Sequence, residues 1–236
     1  MQRQITRRTR IVLESDHDAD ALANPLFAIN WFNTRSLWLY NMYNAFASPS
    51  LSRVGGKVLF KGRVTETLLG SPDDARQILL IVNYPSGARF LDLLSNQFFQ
   101  VTSLLRMAAV RDFSFALNQR GDGPDRLEHQ TQPFDPSRAW GVHLYSSDHD
   151  IREEVQDLRA FADGENRSLY FASLRAATVH SETSNGVREP LHCVTDRVVI
   201  LESDNEDQLR EAVAGRWGEF ACGVSNSYIG LLNRIL

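Results

Sequence analysis

The sequence predicts an α+β fold in which two tandem βαββαβ units, residues 1–118 and 139–236, close together into one eight-stranded α/β barrel. Three observations carry this. Segments of period-two and period-3.6 hydrophobicity follow one another in the order βαββαβ up to residue 118. The same order recurs from residue 139 onward. Between the two stretches, QRGDGPDRLEHQTQPFDPSR at 119–138 has three prolines and two glycines and no apolar period, which reads as a linker. A βαββαβ unit puts both helices on one face of a four-stranded antiparallel sheet and leaves the other face bare. Two copies in one chain can cover each other.

The elements follow in order. LFAINWFN at 26–33 is a strand, and 37–46 is a helix with Leu39, Tyr43 and Phe46 on one face. Gly55 and Gly56 make a turn into VLFKGRVTETLL at 58–69, where Val58, Phe60, Val64 and Leu68 alternate with Lys61, Arg63, Thr65 and Thr67. A continuously apolar strand over 78–84 precedes Pro85 and Ser86, which open a helix through Phe90, Leu91 and Leu94. A second helical stretch over 98–110 and a strand over 113–117 complete the first unit. In the second unit, 140–146 is a strand and 151–162 a helix with Ile151, Val155, Leu158 and Ala162 on one face. An alternating strand over 169–180, a buried strand over 197–201, a helix over 206–217 and a strand over 228–236 finish it. IVLESD at 11–16 echoes VILESD at 199–204, and SDHD stands at both 15–18 and 147–150. Ser and Asp there suit helix N-caps with acids in the first turn better than metal ligands.

Composition narrows the function. The 236 residues are 43% apolar and 23% charged, with 25 Lys and Arg against 29 Asp and Glu. The net charge of −4 gives no positive field to condense on nucleic acid or anionic lipid. Arg3, Arg7, Arg8 and Arg10 lack interleaved aromatics, so this arm reads as a solvated or subunit-contacting edge, and a homodimer is one expectation. No window approaches the ~20 apolar residues of a membrane span, and no signal-peptide core follows the arginines. A cytoplasmic protein is expected. Cys193 and Cys222 have no CxxC or Cys/His spacing and read as buried free thiols. GxGxxG, Walker, HExxH and GxSxG motifs are absent, and neither 151–162 nor 206–217 supplies a helical histidine for haem, so no cofactor is expected.

If the polar stripe of 58–69 faces the barrel interior, Lys61 and Arg63 meet Asn30 and Asn83 from neighbouring strands. Their counterparts in the second unit are Arg175 for Arg63, Glu202 for Asn83 and His143 for Asn30. Charges at mid-strand are costly to bury unless paired or solvated, so this pattern predicts an enclosed polar cavity. There the arginines would hold a carboxylate or enolate, His143 or His180 would move a proton near neutral pH, and Glu202 would act as base or orient the histidine. The competing reading is an Arg175–Glu202 structural ion pair with exposed histidines. Arg106 sits near a helix C-terminus, where a cation is favoured, and Tyr145 stands among aromatics able to line a pocket or a core.

Asn30 at a strand end, VGGKVLFKGRV at 54–64, YPSGARFLDLL at 84–94, and NQFFQ with LLRMAAVRD at 96–112 resemble an uncharacterised bacterial domain family. That family lies in the dimeric α/β-barrel, ferredoxin-like superfamily, and the resemblance covers about residues 24–118. It implies a ferredoxin-like fold for the first half, the second half being read as a diverged copy from its element order alone, and it matches Arg106, ahead of Ala108 and Ala109, to the family's arginine and Asn30 to its strand asparagine. Phe99 and Leu105 stand where the family often has Tyr and His, so those polar roles are absent. The superfamily is similar in build to muconolactone isomerases, quinone-forming monooxygenases, polyketide cyclases and chlorite dismutases, which implies a small hydrophobic or aromatic ligand.

The expectation is a cofactor-independent enzyme acting on a small, largely apolar metabolite by proton transfer in an isomerisation, cyclisation or rearrangement. The alternatives are a non-catalytic small-ligand binding or interaction protein, and a haem or metal barrel using His143, His180 or His192. A visible absorption spectrum and metal analysis of purified protein separate the last from the others, with a colourless, metal-free sample expected.

Overall fold

Four side chains start four helices at the positions where first-turn amide N–H groups lack acceptors within the helix. Ser36 accepts from the Leu39 amide and opens α1 (Leu37–Arg53), and Ser86 accepts from Arg89 and opens α2 (Gly87–Ser95). Asn96 accepts from Phe99 and opens α3 (Gln97–Ala109), and Asn205 accepts from Gln208 and opens α4 (Glu206–Ala214). A fifth helix, α5 (Arg216–Gly223), follows directly. The computed structural model describes residues 23–118, 138–146, 169–173 and 197–235. The expected arginine arm, helix 151–162, the strand beyond residue 173 and the linker up to residue 137 lie outside the described residues.

The strands are β1 (Leu26–Thr34), β2 (Lys57–Leu69), β3 (Ile78–Tyr84), β4 (Val110–Asn118), β5 (Ala139–Ser146), β6 (Leu169–Ser173), β7 (Arg197–Ser203) and β8 (Ser225–Arg234). They form one antiparallel sheet in the order β4-β1-β3-β2-β8-β5-β7-β6. The first four strands occupy one block and the last four the other. The two blocks meet where β2 pairs with β8, from Gly62 against Arg234 to Leu69 against Ile229. Across that seam Arg210 of α4 donates two hydrogen bonds to the Glu66 carboxylate of β2, at 2.7 and 2.6 Å. The predicted single helix over 206–217 is two helices because Gly215, at φ −98° and ψ −139°, caps one and begins the next. Helix α1 runs seven residues past its expected end, through the exposed Pro49 to Arg53.

One face of the sheet carries Phe27, Ile29 and Trp31 of β1, Phe60 of β2, Leu79 and Ile81 of β3, Trp140, Val142 and Leu144 of β5, Val198 and Ile200 of β7, and Tyr228 and Leu232 of β8. These form a single cluster, so the sheet rolls around them. Trp31 meets the ring of Tyr228 at 5.9 Å although β1 and β8 are three positions apart, and Phe60 meets Trp140 at 5.4 Å across two. On the outer face, α1 to α3 cover the first block and α4 and α5 the second, each over its own apolar cluster.

Among the described residues, hydrocarbon fills the part of the expected polar hollow that β1, β3, β5 and β8 enclose. Ile29, Trp31, Leu79, Trp140, Val142, Leu144 and Tyr228 are at most 1% exposed, which leaves no water-sized space against them. From Phe60 to Val64 the alternation expected in β2 holds with its sides reversed, Phe60 turning into the rolled sheet and Lys61 out toward the helices, while register shifts beyond Val64 carry Leu68 to the outer cluster. Burying the apolar stripe removes more hydrocarbon from water, while an inward lysine would be stranded without solvent or counter-ion. Truncating Trp31 to Ala, a fully buried ring joining β1 to β8, is expected to cost about 3–5 kcal/mol in a denaturant titration.

Candidate functional site

The register of three strands sets the first group of polar residues. Asn30 of β1 pairs with Leu80 of β3, and Leu80 pairs with Lys61 of β2, so the three form one row on the helix-covered face. At about 4.8 Å per strand, the Asn30 and Lys61 backbones are about 10 Å apart. The Asn30 amide nitrogen donates to the Ala28 and Leu80 carbonyls, both at 3.3 Å, which fixes the side chain and leaves its Oδ1 as the group free to turn toward a ligand. Lys61 is only 8% exposed, and its Nζ lies 5.1 Å from the centre of the Tyr40 ring. Among the described residues no hydrogen-bond acceptor or carboxylate holds that ammonium. Burial lowers its pKa, and the Arg63 cation two residues along lowers it further.

Helix α1 supplies the wall opposite. Burial pushes the Tyr40 phenol far above its usual range, as does neighbouring Tyr43, with Asn44 and Arg106 opposing in part. Tyr84 of β3 is raised in the same way, chiefly by burial. Arg106 of α3 lays its guanidinium 4.6 Å over the Phe113 ring and 5.9 Å over Tyr43, where its charge opposes the burial of the phenols. Arg63 is exposed at the rim. Chemically this layer offers an amine, a guanidinium, an amide oxygen and aromatic faces.

A second group lies under α5. His143 is fully buried, stacks on Tyr145 at 4.3 Å, and meets the edges of Trp217 and Phe220 at 5.3 and 6.2 Å. Its Nε2 is 2.8 Å from the Ser227 hydroxyl, and its Nδ1 has no partner among the described residues. Burial drops its pKa to about 3. The imidazole is therefore neutral at physiological pH, and it lies under α5 on the helix-covered face, not in the barrel interior where a shuttle was expected. Tyr145 is buried beside it as core.

Glu202 and Asn83 take the inner face. Glu202 follows Ile200 on β7 and accepts from Arg138 at 3.2 Å, and Arg138 also reaches Asp204 at 3.8 Å. The expected partner Arg175 lies outside the described residues, as does His180. Asn83 donates to the Leu26 carbonyl at 3.5 Å near the end of its strand. Thus Asn30 and Lys61 share one row with Arg63 exposed two residues along, Arg106 reaches Tyr43 and Phe113 on the helix side, and His143, Tyr145, Glu202 and Asn83 are elsewhere. Tyr40 joins the first group as one of the aromatics able to line a pocket, and Tyr84 joins it unannounced, its strand spacing giving only a core signal. Among the described residues no three metal-ligating side chains cluster, and Cys222 is exposed, not buried as expected.

No protein-family model matches the chain, and no curated protein sequence matches it. Solved structures do. A candidate monooxygenase from Fusobacterium nucleatum is 8% identical over 91% of this chain and 94% of its own, with a TM-score of 0.52. A protein of unknown function from Rhodopseudomonas palustris is 23% identical over 46% of this chain and 94% of its own, with a TM-score of 0.39. Chlorite dismutase from Candidatus Nitrospira defluvii is 11% identical over 91% and 94%, with a TM-score of 0.46. The chain shares the fold of the Fusobacterium protein. At these identities the likeness concerns architecture alone.

Two stability effects follow from the burial. Below about pH 6.5 the unfolded chain protonates His143 while the folded chain refuses the proton until about pH 3. Stability is expected to fall over that window by about 1.4 kcal/mol per pH unit from this group, and His143→Phe to flatten the slope in urea titrations. For Lys61 the lowered pKa means the unfolded chain holds the proton more tightly. Lys61→Met is therefore expected to raise the thermal midpoint at pH 7, with the gain shrinking toward pH 10.5.

Proposed function

We propose that the chain is a cofactor-independent enzyme acting on a small, largely apolar metabolite by proton transfer, in an isomerisation, cyclisation or related rearrangement. The reacting site is the layer between the first block of the sheet and helices α1 and α3. The observation that carries this is the buried, counter-ion-free Lys61 against the Tyr40 ring. A lone buried ammonium lowers stability, so its retention is best explained by work on a ligand. In this reading Lys61 moves the proton, Arg106 holds an oxygen that gains charge, Asn30 orients the substrate through its free carbonyl oxygen, and the tyrosine rings pack its apolar body. Arg63 draws anions to the rim.

The two blocks are read as diverged copies of one ferredoxin-like unit with the boundary in 119–138, a proposal supported by their matching strand order. The first block has the uncharacterised bacterial family's motifs and the polar layer. In the second, Trp217 and Phe220 fill the corresponding space around His143. The site is then single, not paired.

Exchange of α-protons of benzoylacetone in D2O, followed by NMR, tests the reading. Wild-type protein is expected to accelerate exchange over buffer, Lys61→Met to lose about 100-fold, and His143→Phe and Glu202→Gln to keep it. No acceleration by wild type, or full activity in Lys61→Met, overturns it.

A further inference from the structure

Lysine is nearly missing from this chain. Of its 25 Lys and Arg residues only Lys57 and Lys61 are lysines, and both stand on β2. Arginine stays protonated and cannot act as a nucleophile, so these two, with the α-amino group, are the amines able to bond to carbon. Their surroundings are opposite. Lys57 is exposed, whereas Lys61 is buried with its Nζ over the Tyr40 ring and the Arg63 guanidinium on the same strand face. Desolvation together with a neighbouring cation is the setting that turns a lysine from a charge into a nucleophile. The lowered pKa of Lys61 agrees, since it raises the share of free amine near neutrality.

We propose that Lys61 forms an imine with the carbonyl group of its substrate, a small, largely apolar aldehyde or ketone. This rests on the reading that the α1–β2 layer receives substrate. The Nζ lone pair attacks the carbonyl carbon, a proton passes from nitrogen to oxygen, and the hydroxyl of the carbinolamine leaves as water. Counted from the ammonium, one carbonyl gives one protonated imine and one water with charge conserved, and nothing is oxidised or reduced. The Tyr40 face lies against the cation so formed. The iminium withdraws electrons from the adjacent carbon and acidifies its protons, which is the step that isomerisation or cyclisation requires.

The test treats the full chain with benzaldehyde and sodium cyanoborohydride at pH 7 and maps benzyl groups by peptide mass spectrometry. Lys61 is expected to be labelled about tenfold faster than Lys57, which serves as the exposed control in the same chain. Lys61→Arg keeps the cation and removes the amine; it is expected to fold as wild type by circular dichroism and to leave labelling of Lys57 unchanged. Label confined to Lys57 and the α-amino group, or Lys61 labelled no faster than Lys57, overturns the imine. If wild type exchanges the α-protons of benzoylacetone yet Lys61 is not trapped, the imine falls and the proton-transfer reading stands. Absence of both sinks both, and trapping without exchange sinks the proton-transfer reading alone.

Discussion

Each half of the sheet has helices for one face only, and the other face can leave water only against its counterpart. That constraint organises the molecule. It explains why Trp31, Phe60, Trp140 and Tyr228 point to the same side from four different strands, and why strands several positions apart come into ring contact. It also decides where charge can go. With the middle of the inner face committed to hydrocarbon, the mid-strand Asn30, Lys61 and His143 face the helices, and Asn83 and Glu202 sit on the inner face near strand ends.

The two helix-covered layers then resolve the same problem differently. Under α5, a histidine is made harmless by neutrality, one hydrogen bond to Ser227, and three aromatic neighbours. Under α1, a lysine lies against the ring of Tyr40 with no acceptor or carboxylate on it among the described residues. A fold selected for stability alone has no use for that second arrangement, because a methionine of similar volume would fill the space without the desolvation cost. The asymmetry is the reason the functional reading rests on the first block.

Glu202 is a buried carboxylate held by an arginine. Its pairing with Arg138 at the mouth of the rolled sheet ties β7 to the residue that precedes β5. Arg210 and Glu66 do the corresponding work on the outside of the β2–β8 seam, where the ion pair is exposed and its value lies in registering the two blocks more than in raw stability.

Much of the fold was legible in the chain. The strand over 78–84 coincides with β3, the segment at 58–69 with β2, and Ser86 begins a helix as expected, because a short polar side chain caps an amide where an apolar period starts. Periodicity is local and survives reading one residue at a time. What it left open was which side of each strand looks where, since a period of two assigns residues to two faces without saying which face the partner block covers. That choice belongs to the whole sheet, and it moved Lys61 from an imagined cavity to the Tyr40 ring, His143 into an aromatic seal, and Glu202 to Arg138. Sequence alone supplied the elements and the polar residue types; only the closure of two bare faces on each other decided which of those residues could meet.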